Sequence, residues 1–98
     1  MKKDFLNQYQ SVYFIGIGGI SMSGLAEILL SKGFQVSGSD MKQSTETQHL
    51  QSIGINVNIG HKAENITDDI QLVIYTAAVK QANPELIAAK QKNITIID

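Results

Sequence analysis

Three glycines crowd into four positions of this chain, at Gly16, Gly18 and Gly19, between an apolar run and a helical pattern. The full stretch reads "VYFIGIGGISMSGLAEILLSKG", from Val12 to Gly33. Glycine weakens a helix or strand interior by roughly 0.5–1 kcal/mol relative to alanine, so the cluster marks a junction between elements. Residues 12–17 ("VYFIGI") are β-branched and aromatic and read as a buried strand. Met22, Leu25, Ala26, Ile28 and Leu29 follow the spacing of one helix face. Gly33 stands where a helix C-terminal glycine belongs. Strand, glycine turn and helix in that order point to an α/β fold and bring bare backbone to the first turn of a helix. That turn carries about half a positive charge and unpaired N–H donors. It suits a phosphate group.

The rest of the chain repeats the alternation. Residues 35–38 ("QVSG") predict a second strand, ending in Ser39-Asp40. Residues 45–52 predict a weaker helix with Leu50 and Ile53 on its apolar side, stopped by Gly54. "INVNI" at 55–59 alternates with period two, as a strand with one wetter face does. Gly60-His61 ends it. "QLVIYTAA" at 71–78 predicts a strongly apolar strand. Asn83-Pro84-Glu85 predicts a helix start, with Asn as the cap, Pro at the first helical position and Glu near the positive end of the dipole. That helix runs to about Lys92, and "ITII" at 94–97 forms a last strand. The order β-α-β-α-β-loop-β-α-β predicts a Rossmann-like parallel sheet of about five strands, in the order 3-2-1-4-5, with helices on both faces. Asp98 follows the last strand with no closing helix, so the expectation is one domain, residues 1–98, cut at a domain boundary.

Composition narrows the chemistry. The 98 residues carry a net charge of −1, which is no electrostatic footprint for nucleic acid. No apolar stretch reaches the roughly 18 residues of a membrane span, and no apolar signal-peptide core follows the lysines of "MKKDFLNQYQ". There is no cysteine, so thiolate catalysis and thiolate metal sites are excluded. A cytoplasmic location is expected. All eight basic residues are lysine. Without arginine there is no bidentate guanidinium fork for a phosphate, so backbone amides must carry much of any grip on one.

The dinucleotide fingerprint G-x-G-x-x-G uses its first glycine for the tight turn, its second for phosphate approach and its third for helix packing. Gly16 and Gly18 supply the first two here. Ser21 stands third; it is nearly as small as glycine, and its hydroxyl is a candidate helix cap. Asp40 lies 22 residues after Gly18, where dinucleotide enzymes place an acid against ribose hydroxyls. Its charge would repel a 2′-phosphate at Lys42, which disfavours NADP but leaves NAD open. His49 and His61 have no metal-ligand spacing. There is no G-x-S-x-G elbow and no G-x-x-x-x-G-K-[ST] loop. The residues therefore hold parts of a binding site and no catalytic set. A site for a mono- or diphosphate agrees with them, a dinucleotide (NAD) site in an oxidoreductase or in a regulatory nucleotide-sensing module among the possibilities.

"FIGIGGISMSGLAEILLSKGFQVSGSD" resembles the N-terminal segment of the UDP-N-acetylmuramate–L-alanine ligases of the Mur ligase family. The family pattern is close to G-I-G-G-x-G-M-S-G-L-A, followed after a strand by S-G-S-D. "GINVNIGH" at 54–61, "LVIYTAAVK" at 72–80 and "NPEL" at 83–86 extend the likeness over essentially the whole chain. The resemblance implies a cytoplasmic enzyme of peptidoglycan precursor synthesis with three domains, of which this chain is the first and binds the UDP part of UDP-N-acetylmuramate. ATP and Mg2+ would serve the absent central domain, where the lactyl carboxylate becomes an acyl phosphate that L-alanine attacks. The fragment alone would hold no cofactor and no metal and be inactive, with no nucleic-acid or membrane partner. The resemblance also implies site residues. Gly18, Gly19 and the turn Ile20, Ser21, Met22 and Ser23 would approach the diphosphate, although Met22 also reads as core packing. Ser39 and Asp40 would contact the ribose or base, His61 would border the uridine, and Thr76 and Ala77 would line the same crevice. Ser21 replaces the family's usual glycine.

Overall fold

The computed structural model describes residues 8–98. The sequence reading of residues 1–7, that they begin no signal peptide, lies outside the described residues. The elements are β1 (Ser11–Ile15), α1 (Ile20–Ser31), β2 (Gln35–Asp40), α2 (Thr45–Ser52), β3 (Asn56–Ile59), a 3-10 turn (Ala63–Asn65), β4 (Leu72–Ile74), α3 (Pro84–Gln91) and β5 (Thr95–Ile97). The five strands form one sheet in the order β3-β2-β1-β4-β5, and every pair is parallel. Order, direction and central strand agree with the sequence expectation.

β1 is central because both its faces are apolar. Val12 and Phe14 point to one side and pack with Ala26 and Leu29 of α1 and Leu50 of α2. Tyr13 and Ile15 point to the other and pack with Leu86 and Ala89 of α3 and with Ile66 and Ile70. Strand alternation thus serves two cores with one element, and helices cover both faces. In register, Val12 sits opposite Val36 on one side and Leu72 on the other.

Several boundaries move for physical reasons. β1 ends at Ile15, not residue 17, because Gly16 takes φ +83 and turns the chain. The amides of Gly16 and Ile17 then both donate to Ser39 O, at 2.8 Å, which draws β2 out to Asp40. β4 ends at Ile74, not residue 78. Past that point β1 has already turned away, and the Tyr75 amide makes the last bond of the ladder, to Ile97 O at 3.1 Å. Ile28, expected on the buried face of α1, is 52% exposed. The helices begin where their caps put them. Ser44 Oγ accepts from Thr47 N while Thr47 Oγ1 accepts from Ser44 N, a reciprocal box for α2. Asn83 accepts from the Glu85 amide ahead of Pro84 for α3.

Candidate functional site

The glycine turn is shaped by its own chain before any ligand is considered. The Gly18 amide donates to Asp40 Oδ2 at 2.8 Å. A Cβ on Gly18 would lie 2.7 Å from that oxygen and 2.9 Å from Thr47 Cγ2. Glycine is required there because β2 and α2 crowd it. Gly19 is the cap residue of α1, and no side chain caps the helix. The expectation that Ser21 caps it fails: Ser21 lies one residue inside the first turn and is exposed. The Gly19 amide is spent on Gly16 O at 3.2 Å, and the Ser23 amide closes the helix onto Gly19 O at 2.7 Å. Between them, the amides of Ile20, Ser21 and Met22 meet no acceptor among the described residues. These donors are the positive end of a 12-residue helix.

They open on a cavity of about 480 Å3 beyond the carboxyl ends of the strands. Gly16, Gly19, Ile20, Ser21 and Met22 form one wall, Asp40, Met41 and His61 another, and Thr76, Ala78 and Val79 the third. A second hollow, of about 560 Å3, adjoins it through Met41, His61, Ala78 and Val79 and runs towards Pro84. Placement at the strand ends is where an open parallel sheet leaves a crevice.

The sequence-predicted residues divide into two groups. Gly19, Ile20, Ser21, Met22, Asp40, His61 and Thr76 come together on the cavity wall. Met22 is also packed against the core, so its two readings coexist. Four others stand back from it. Gly18 lies beneath Asp40. Ser23 turns its hydroxyl to Ile20 O at 3.1 Å. Ala77 is exposed beside the cavity, outside its wall. Ser39 is fully buried, on the α3 side of β2, where its hydroxyl donates to Glu85 and its oxygen is 2.8 Å from His61 Nδ1.

In the sequence Glu85 reads only as a helix-start acid. It is fully buried, held by Tyr13, Ser39, His61 and Asn65 and by the Lys62 amide. The available signal was Tyr13, a phenol inside an apolar strand, which needs a polar partner when buried. Burial, above all, pushes the Tyr13 phenol well above the usual tyrosine range, and the neighbouring Glu85 adds to it. Far from the site, the hydrogen bond and charge of Lys92 hold the exposed Asp68 carboxyl below its usual range, at an Nζ–Oδ1 distance of 2.6 Å. Among the described residues no three His, Asp or Glu side chains cluster to hold a metal ion, and no helix is long and apolar enough to cross a membrane.

Known proteins resemble the chain in sequence and fold. Residues 11–98 match the Mur ligase family, catalytic domain. The chain is 56% identical over 98 residues to the UDP-N-acetylmuramate–L-alanine ligase of Clostridium kluyveri, covering 100% of this chain and 21% of that protein. It is 61% identical over 87 residues to the enzyme of the same name from Lachnoclostridium phytofermentans, covering 89% of this chain and 19% of that protein. Among solved structures, the UDP-N-acetylmuramate–alanine ligase of Thermotoga maritima superposes with a TM-score of 0.85 at 38% identity, over 88% of this chain and 20% of that one. The chain thus spans about a fifth of the length of the relatives it matches. The dinucleotide-oxidoreductase alternative is not favoured: the NADPH-bound yeast reductase Gre2, at 20% identity and a TM-score of 0.63, shares the fold alone. By the match of nearly its whole length, the chain belongs to the Mur ligase family.

Proposed function

We propose that this chain is the UDP-N-acetylmuramate-binding domain of a ligase that joins L-alanine to that sugar nucleotide at the expense of ATP. The names of its relatives support the substrate. One observation supports the site most strongly: the Ile20, Ser21 and Met22 amides lack acceptors among the described residues and face a cavity at the strand ends. In this reading they receive the diphosphate, with Gly19 giving its backbone room and Ser21 adding a hydroxyl donor. Gly18 and Ser23 shape the turn from behind. Asp40 keeps Oδ1 for a ribose hydroxyl while Oδ2 holds Gly18. His61 and Thr76 border the nucleoside, Ala77 flanks it, and Ser39 steadies His61.

The sequence has no G-x-x-x-x-G-K-[ST] loop for ATP, and the chain spans only about a fifth of the length of its relatives. The ATP-dependent step is therefore assigned to central and C-terminal domains that this chain does not contain, and the chain alone should form no amide bond. Thermal unfolding tests the reading. At a ligand concentration about 100 times its dissociation constant, stabilisation is about 2.7 kcal/mol, several degrees for a domain of this size. UDP-N-acetylmuramate should give that rise and NAD should not. The reverse result would favour the dinucleotide site.

A further inference from the structure

The buried Glu85 has no place in the binding scheme above, yet it organises one wall of the cavity. Its Oε2 accepts from Tyr13 Oη at 3.0 Å, Asn65 Nδ2 at 2.7 Å and the Lys62 amide at 3.2 Å. Its Oε1 accepts from the Ser39 hydroxyl and lies 3.4 Å from His61 Nδ1. Ser39 Oγ is 2.8 Å from the same nitrogen. A serine hydroxyl has one proton, and a carboxylate supplies none. Ser39 therefore gives its proton to Glu85 and turns its lone pairs to His61. Nδ1 must supply the proton of that contact, so in the neutral ring Nε2 is left as an acceptor. Nε2 has no partner among the described residues, where no buried side-chain nitrogen or oxygen goes unpaired. Being unpaired, it is not a buried atom, and His61 lines the cavity.

We infer that Glu85 is a positioning residue: together with Ser39 it holds the His61 proton on Nδ1 and presents Nε2 to the cavity as an acceptor for an O–H or N–H of the nucleoside part of the ligand. The identity of that ligand rests on the sugar-nucleotide reading; the place of the proton does not.

Long-range proton–nitrogen correlation spectra of the chain report which ring nitrogen is protonated. They are recorded about two units above the ordinary histidine pKa of roughly 6.5. His49 serves as an internal reference: it is exposed and sets Nε2, not Nδ1, 3.0 Å from Glu27 Oε1, so it should show the opposite tautomer. His61 should carry its proton on Nδ1. A proton on Nε2 overturns the inference. Glu85→Gln supplies the reverse test. Asn65 Nδ2 and the Lys62 amide can only donate, so the new amide must keep its oxygen towards them and turn its NH2 to Ser39. Ser39 would then donate to Nδ1, and the His61 proton should move to Nε2. UDP affinity should fall about tenfold with the lost acceptor. A folded Glu85→Gln chain with the proton still on Nδ1 contradicts the role given to Glu85. Ser39→Ala covers the case in which Glu85→Gln does not fold. Glu85 Oε1 remains near Nδ1, so the proton should stay there, and its transfer to Nε2 would remove Glu85 as the cause. A wild-type chain that keeps the Nδ1 proton but ignores UDP would sink the sugar-nucleotide reading and the nucleoside contact, while Glu85 would still set the tautomer.

Discussion

Asp40 closes the glycine turn from the end of β2: its Oδ2 accepts the Gly18 amide at 2.8 Å, and its neighbour Ser39 O accepts the amides of Gly16 and Ile17. Three successive backbone donors of the turn are thus consumed by two residues of one strand. This leaves the next free donors to α1 itself, so in the proposed reading the edge that receives an anion lies at Ile20, Ser21 and Met22 and not at Gly18.

That relationship makes Asp40 a structural residue as well as a wall of the cavity. Asp40→Ala leaves the Gly18 amide without its acceptor and should destabilise the chain by about 1–3 kcal/mol, the range for a lost partner of a partly buried donor. Asp40→Asn retains a carbonyl oxygen and should recover most of that loss. Urea unfolding of the two variants checks both values. Equal stability of Asp40→Ala and the wild type would count against the contact.

Gly18 meets its neighbours before it meets a ligand. Gly18→Ala should destabilise by about 1–3 kcal/mol through overpacking, since the new Cβ would stand 2.9 Å from Thr47 Cγ2 and 2.7 Å from Asp40 Oδ2. Thr47→Ser removes the methyl but keeps the hydroxyl that caps α2. The double variant should be more stable than the sum of the single effects allows, because the two sites are in contact. Strict additivity in a double-mutant cycle would place the strain elsewhere.

Ser21 neither caps α1 nor packs. Ser21→Gly, which completes the third glycine of the fingerprint, should change stability by no more than about 1 kcal/mol, the glycine penalty within a helix. UDP affinity should fall by about tenfold at most, since one hydroxyl donor is lost while the backbone amide remains. A large loss of affinity would show that the serine hydroxyl is a principal ligand contact.

Stability should also fall in alkali. The folded phenol of Tyr13 titrates above the unfolded one, chiefly because burial disfavours the phenolate. Below the unfolded value of about 10 both states are protonated and the contribution is intact. As pH rises past it, the unfolded chain loses its proton first and stability declines. Tyr13→Phe should remove this part of the alkaline limb while lowering stability at neutral pH, since the bond to Glu85 is lost. An alkaline limb equally steep in Tyr13→Phe would assign it to other groups.

The fold was legible because the sequence announces each element twice, by its apolar period and by its punctuation. Gly33, Gly54 and Asn83-Pro84 sit at element ends, and the strand order followed from the alternation of strands with helices. Strand ends were less legible, since they depend on which neighbour is still present to pair: residues 76–78 continue the expected strand but have no ladder to join. The cavity wall was readable from residues at strand ends, Asp40, His61 and Thr76. Glu85 was not, because a first-turn acid looks the same in sequence whether it faces water or a buried tyrosine. The roles of Gly18 and Ser39 needed the third dimension as well: each is explained by a neighbour from another element, Thr47 for one and Glu85 for the other.

Amide resonances of the nitrogen-labelled chain, titrated in parallel with UDP and with uridine, test most directly whether the first turn of α1 receives a diphosphate. The Ile20, Ser21 and Met22 amides should shift strongly with UDP and barely with uridine. UDP binding that leaves these three amides in place and perturbs residues elsewhere would contradict it.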